Sequence, residues 1–209
     1  MFTSVFGRGL YAILDLDRLA GRPLRPLCGA LLQGGAVAIQ LRAKKAGAGT
    51  LLAAARELHR ACADAGRPLV VNDRPDVARI AGAWGVHVGQ EDLSIDDVRR
   101  FAPGLRVGVS THSAAELDCA LAAGADYVGY GPVWATTTKD RPDPAAGIEA
   151  LATAARRSPV PVVAIGGIRV DRVDDVARSG AWAAAAISAV DGAADPEALA
   201  RAFAKAFER

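Results

Sequence analysis

The residues able to do chemistry in this chain come in short clusters, and each cluster follows directly on an apolar run. Ala38-Ile39 leads into Gln40, Arg42 and Lys44; Leu69-Val70-Val71 leads into Asn72-Asp73; Val86-His87-Val88 leads into Gln90-Glu91-Asp92. Further along come Ser110-Thr111-His112, then Thr136-Thr137-Thr138-Lys139. A lysine ammonium is a compact point charge well suited to phosphate, and Lys44 and Lys139 both fall inside these clusters. The last two apolar runs end differently, at Gly166-Gly167 and at Ile187-Ser188. Glycines let backbone N–H groups approach a ligand closely, although a tight turn with no ligand has the same sequence. Polar groups gathered at the exits of successive strands are how a barrel of alternating strands and helices builds an active site, so the pattern points to an enzyme.

The elements that must position these clusters are legible as periodicity. Eight apolar runs, most of them short and several rich in Val or Ile, read as buried parallel strands: Leu10–Leu14, Val37–Leu41, Leu69–Val71, Gly85–Val88, Arg106–Val109, Tyr127–Tyr130, Pro161–Ile165 and Trp182–Ile187. Helical stretches lie between them. Thr50–Ala65 sets Leu51, Leu52, Ala55, Leu58 and Cys62 on one face. Ser94 with Asp97 three residues on opens another helix, and Gly124 and Gly180 close two more at Ser113–Ala123 and Val170–Ser179. A helix over Leu24–Gln33 must accommodate Pro26, and Asp195–Phe207 forms the closing helix. Eight strand–helix units predict a (β/α)8 TIM barrel, a parallel eight-stranded α/β fold. With 209 residues the units average about 26 residues, near the lower limit for that fold, so one domain over 1–209 is expected. The longest irregular segment, Pro132–Ala146, is long enough to be functional, and its Gly/Pro flanks suggest a lid.

Composition narrows the function classes. Net charge is +2, from 25 basic and 23 acidic residues, which argues against a broad nucleic-acid or membrane surface. No apolar stretch approaches the roughly 18–20 residues of a membrane span, and Met1–Arg8 lacks the apolar core of a secretion signal, so a cytoplasmic protein is expected. Cys28, Cys62 and Cys119 show neither a CxxC pair nor metal-ligand spacing with His, and read as small buried thiols.

Taken one at a time, many of these polar residues have ordinary readings. Asp73 before Arg74-Pro75 would serve as a helix cap, Asp92 as a capping acid ahead of Ser94, and Arg42, Lys44 and Lys139 as solvated charges. His87, between two valines, reads as a packed, hydrogen-bonded imidazole, and His112 has no assigned role. In order along Tyr11 to Val190, however, the segments resemble thiamine phosphate synthases: Gln40–Lys44, Val71–Arg74, His87–Asp92, Gly108–His112, Gly129–Pro132, Thr136–Lys139, Ala164–Ile168 and Ile187–Ala189. That resemblance implies a transferase joining 4-amino-2-methyl-5-hydroxymethylpyrimidine diphosphate to a thiazole phosphate, giving thiamine phosphate and pyrophosphate. It implies Mg²⁺ on Asp73 and Asp92, as suits a hard cation. It implies a diphosphate clamp of Arg42, Lys44 and Lys139, with Gln40, Asn72 and Ser110 as hydrogen-bonding groups; Arg42, Lys44, Ser110 and Lys139 are the catalytic set. It also implies a thiazole-phosphate site of Thr136, Thr138, Gly167, Ile187 and Ser188, with Lys139 alongside. The partners are these small molecules, with a homodimer permitted.

Two departures from the family pattern stand out. Ala135 replaces a common Pro, and Asp140 follows Lys139 where a second Lys is common. The same barrel also suits a thiazole tautomerase, for which the Asn72-Asp73 and Gln90–Asp92 segments would be superfluous, or a noncatalytic phosphate binder.

Overall fold

The computed structural model describes residues 6–19, 21–136 and 144–208. Eight parallel strands close on themselves in chain order: β1 (Gly9–Asp15), β2 (Ala38–Arg42), β3 (Leu69–Asn72), β4 (Gly85–Val88), β5 (Arg106–Thr111), β6 (Tyr127–Tyr130), β7 (Val162–Ala164) and β8 (Ala183–Ala186). The last pairs back onto the first, Tyr11 opposite Ala185, so no sheet edge is left open among them. Around the barrel run α1 (Leu24–Gln33), α2 (Ala48–Asp64), α3 (Pro75–Ala81), α4 (Ile95–Phe101), α5 (Ala114–Ala122), α6 (Gly147–Arg157), α7 (Val173–Arg178), a single turn α8 (Ser188–Asp191) and α9 (Pro196–Phe207). The expected TIM barrel is the observed fold.

Strand periodicity divides the apolar residues into two sets. Leu10, Ala12 and Leu14 of β1 face outward into the main core with the helices, as do Ile39, Leu41, Val71, Val86 and Val107. Tyr11, Ile13, Ala38, Val70, Tyr127, Val163, Ala183 and Ala185 point inward and fill the barrel. Aromatic rings plug its amino-terminal end: Phe6 stacks edge-on against Tyr11, Trp84 and Tyr127 at centroid separations of 5.7, 6.2 and 5.4 Å. Each such pair contributes roughly 0.5–1.5 kcal/mol beyond area burial. The Trp182 indole N–H ties this floor down through the Phe6 carbonyl, at 2.8 Å.

Several local expectations hold. Ser94 caps α4 by accepting from the Asp97 N–H at 3.1 Å, and Asp195 caps α9 from Ala198 at 2.9 Å. Pro26 fits because it lies in the first turn of α1, where backbone N–H groups need no intrahelical acceptor. Others differ. β1 runs on to Asp15 and β5 to Thr111, which brings Asp15, Ser110 and Thr111 into the strands proper. The Val170–Ser179 helix is split into a 3-10 turn, Val170–Arg172, and α7, because Arg172 leaves helical geometry at φ −120°. The single-turn α8 is too short to show a helical period in the sequence. Cys28 and Cys62 are buried, but Cys119 is exposed, because α5 turns Leu117 and Ala120 inward instead.

Candidate active site

Because alternate residues of each strand point inward, the carboxyl ends of β2 to β5 place Gln40, Arg42, Asn72, His87 and Ser110 inside the barrel mouth. They line a cavity of about 1040 Å³, its open mouth included. The far wall is apolar side chain and bare backbone: Val163, Ile165, Gly166, Gly167, Ala185, Ile187 and Ser188, with Thr136 at its edge. One half of the mouth therefore offers charge and hydrogen bonds, and the other offers glycine backbone and an apolar surface.

The polar half is held in place by residues that the sequence does not single out. Asp15, fully buried at the end of β1, ion-pairs with Arg42 directly opposite it in the ladder. The pair aims the guanidinium along the mouth and compensates a carboxylate that burial alone would penalise. Asp17 accepts the backbone N–H groups of Lys44 and Lys45 at 2.7 and 3.1 Å and so fixes the loop that carries Lys44.

Asp73 is not the cap of α3. The cap position is Arg74, whose side chain makes no capping bond, and Pro75 opens the helix. Asp73 instead adopts φ 60°, uncommon for any residue but glycine, with its N–H donating to the His87 carbonyl at 2.8 Å. This turn points its carboxylate to the rim, where it ion-pairs with Lys44. Burial pushes the Asp73 carboxyl above the usual range; Lys44 opposes this, and the adjacent Asp92 carboxyl reinforces it. Asp92 does not cap α4 either; its carboxylate accepts the Gly89 N–H at 2.7 Å within the β4 exit loop. Two carboxylates and an ammonium thus meet at one point of the rim, beside the cavity rather than among its lining residues. Among the described residues no group of three or more His, Cys, Asp or Glu forms a metal centre. A hard cation at this rim would therefore draw further oxygens from substrate or water.

The histidines have different settings. His87 is the packed, hydrogen-bonded imidazole expected. Its Nδ1 meets the Tyr127 hydroxyl at 3.1 Å and its Nε2 meets Ser110 Oγ at 2.9 Å. Tyr127 in turn meets the Tyr11 hydroxyl at 2.9 Å, and Gln40 Nε2 donates to Tyr11 at 2.9 Å. His112 is held by Glu116, which bonds both its ring Nδ1 and its backbone N–H at 2.8 Å. Gln90 donates to the Ser110 carbonyl at 2.6 Å, bracing the β5 exit against the β4 loop.

On the other half, Gly166 and Gly167 take φ 97° and 66°. A methyl group at Gly167 would lie 2.8 Å from Trp134 Cβ and 2.9 Å from the Ala135 carbonyl. The turn after β7 thus exists only as glycine, packed beneath the strand-six loop. That loop is anchored through Val133 N–H to Ile165 at 2.8 Å and Trp134 N–H to Gly166 at 3.1 Å. Thr136 reaches the cavity; Thr138, Lys139 and residues 137–143 of the expected lid lie outside the described residues.

Of the sequence-derived set, Gln40, Arg42, Asn72, Ser110, Thr136, Gly167, Ile187 and Ser188 line the cavity together, and Lys44, Asp73 and Asp92 stand at its rim. Sequence reasoning passed over Asp15, Tyr11 and Tyr127. The only signal for them was a polar atom at an inward position of an otherwise apolar run.

The chain as a whole is similar to known proteins of one family. Residues 10–190 match the family model described as thiamine monophosphate synthase. The thiamine-phosphate synthase of Anaeromyxobacter dehalogenans is 52% identical over 181 residues, 86% of this chain and 81% of that protein. That of Methanoregula boonei is 45% identical, over 92% and 89% of the two chains. The solved thiamine phosphate pyrophosphorylase from Pyrococcus furiosus superposes with a TM-score of 0.87 at 35% identity, covering 96% of this chain and 95% of its own.

Proposed function

Because the chain belongs to the thiamine monophosphate synthase family and is an enzyme that makes thiamine phosphate by condensation, we propose that its two half-mouths divide the two substrates between them. The observation that carries this reading is the asymmetry of the mouth: buried and rim charges gather on β1 to β4, and a glycine-and-backbone wall lies across the same cavity. The charged half takes the aminopyrimidine diphosphate, and the glycine half takes the thiazole phosphate.

On the charged side, Arg42 presents a guanidinium already oriented by Asp15, and Lys44 presents a movable ammonium. Asp73 and Asp92 are the residues that would hold Mg²⁺. The donor set fits: two hard carboxylates sit close enough for Asp92 to raise the Asp73 carboxyl, a charge conflict that a dication relieves. When bound, the ion offsets charge growing on the departing pyrophosphate. Lys44, paired with Asp73 in the free protein, turns to the diphosphate. Gln40 and Asn72 contact the pyrimidine or its diphosphate from inside the barrel, and Ser110 donates to a diphosphate oxygen.

On the opposite side, the backbone at Gly167 and Ile187-Ser188, with Thr136 and Thr138, holds the thiazole phosphate without adding net charge. Lys139 completes the cation set. The C–O bond between the pyrimidine methylene and diphosphate breaks heterolytically, the oxygen keeping the electron pair. The electron-rich aminopyrimidine spreads the resulting positive charge, and the thiazole nitrogen lone pair forms the new C–N bond. No strong base is required; the protein supplies alignment, preorganised positive charge and exclusion of water.

The test is direct. Purified protein incubated with both substrates and Mg²⁺ should release thiamine phosphate and pyrophosphate in equal amounts, and far less with the metal chelated. Absence of product under any divalent metal would reject the reading. Thiazole-phosphate binding without turnover would favour a noncatalytic role, and metal-free conversion of a thiazole carboxylate phosphate would favour the tautomerase.

A further inference from the structure

Beneath the mouth, five side chains from five different strands or strand ends are joined end to end: Gln40, Tyr11, Tyr127, His87 and Ser110, at 2.9, 2.9, 3.1 and 2.9 Å. Tyr11 and Tyr127 are essentially without exposure, and burial holds both phenols in their protonated form. In such a chain the protons can be counted. The Gln40 amide nitrogen only donates, so the Tyr11 oxygen accepts from it. Each phenol has one proton, and a buried hydroxyl left without an acceptor is costly. Tyr11 therefore donates to Tyr127, and Tyr127 donates to His87 Nδ1. A neutral imidazole then has its single proton on Nε2, which donates to Ser110 Oγ. The Ser110 proton is the one left over, and Ser110 lines the cavity.

We propose that this buried chain is a positioning device: it fixes His87 as the Nε2–H tautomer and thereby obliges the Ser110 hydroxyl to donate outward into the substrate cavity. The inference rests on the assignment of Ser110 to the diphosphate side. Tyr11, Tyr127 and His87 touch no reacting atom in it; they act through Ser110. The chain explains two otherwise odd features. Tyrosines stand in the barrel floor where phenylalanine would fill the same volume. Gly108 sits where any Cβ would collide with the Tyr127 ring, so the phenol can cross β5 to reach His87.

The experiment combines one spectrum with one mutant cycle. In protein labelled with ¹⁵N at histidine, the His87 signals, assigned by their loss in His87→Gln, should show a protonated Nε2 and a bare Nδ1 in the free enzyme. Tyr127→Phe, which keeps the ring and removes the donor, should mix the two tautomers. It should lower kcat by about 10-fold with KM nearly unchanged, because the donation counts most as charge grows on the leaving group. His87→Gln, whose amide nitrogen can still donate to Ser110, should keep most of kcat; His87→Asn, whose amide stops short, should not. In a Ser110→Ala background, Tyr127→Phe should cost nothing further. Ser110→Ala turning over like the unaltered enzyme would remove the Ser110 assignment and this proposal with it. A slowed Ser110→Ala combined with an Nδ1–H tautomer, or with full additivity in the cycle, would overturn the chain alone and leave the proposed function standing.

Discussion

At Asp73 a backbone conformation, an ion pair and a charge conflict coincide. Its φ of 60° carries the carboxylate out of line with the strand, burial raises its pKa, Lys44 lowers it and Asp92 raises it again. A free carboxyl titrates near 3.9, so between that value and the higher folded one the native state holds a proton that the unfolded chain has lost. This group's contribution to stability must therefore decline as pH rises through that window and stay flat above it. Urea midpoints of the ligand-free enzyme followed from about pH 3.5 to 6 should fall less steeply in Asp73→Asn than in the unaltered protein; parallel curves would show that the carboxyl is not strained. Asp92 offers the complementary experiment. It is exposed, lies beside Asp73, and its carboxylate holds the Gly89 turn at a worth of about 1 kcal/mol. Asp92→Ala should thus remain folded by circular dichroism yet lose Mg²⁺-dependent turnover by about 100-fold or more. Turnover equal to that of the unaltered enzyme would take Asp92 out of the metal site.

Elements decide which of these residues face the mouth. The β7 exit turn shows how backbone alone builds half of the site. At Gly167 a side chain meets both a positive φ and the Trp134–Ala135 backbone. Gly167→Ala should therefore push the turn away and raise KM for the thiazole phosphate about 10-fold or more while leaving KM for the pyrimidine diphosphate nearly unchanged, as steady-state kinetics with each substrate varied in turn will show. Equal effects on both would mean that the halves of the mouth are not separate. The strands themselves were readable because Val-rich runs such as Leu69–Val71 and Gly85–Val88 are buried on both faces and ended by polar residues. Gln40, Asn72 and Ser110 were readable because they sit at those ends. Asp15 was not: it closes β1 one residue past the apparent apolar run, and only its register opposite Arg42 reveals that it is buried. Tyr11 and Tyr127 were hidden for a related reason. A phenol counts as apolar in a run, and its hydroxyl acquires meaning only when two other strands bring partners to it.

For the whole molecule, the barrel must close between its first and last units, and α1 against α9 completes the outer layer there. Two glycines of the α1 region separate the forces involved. Gly29 lies mid-helix with open space around the position of a Cβ, whereas at Gly34, the residue ending α1, a Cβ would overlap the Glu197 carbonyl and approach Ala200 Cβ to 2.7 Å. Gly34 has an ordinary helical φ of −73°, so backbone strain plays no part in its case. Alanine in a helix interior gains roughly 0.5–1 kcal/mol over glycine, so Gly29→Ala should stabilise the protein by that amount. Gly34→Ala has no such freedom. The first and last helices must separate to admit the methyl group, at a cost of about 1–3 kcal/mol. Because Gly34 leads directly into β2 and α9 packs over β1, that separation is transmitted to the β1–β2 ladder, where Asp15 meets Arg42. Thermal melts should place the two variants on opposite sides of the unaltered protein. Gly34→Ala alone should also weaken the diphosphate substrate, measured as a higher KM, despite lying at the opposite end of the barrel from the mouth. If both alanines shift the melt in the same direction, helix propensity rather than closure governs this seam.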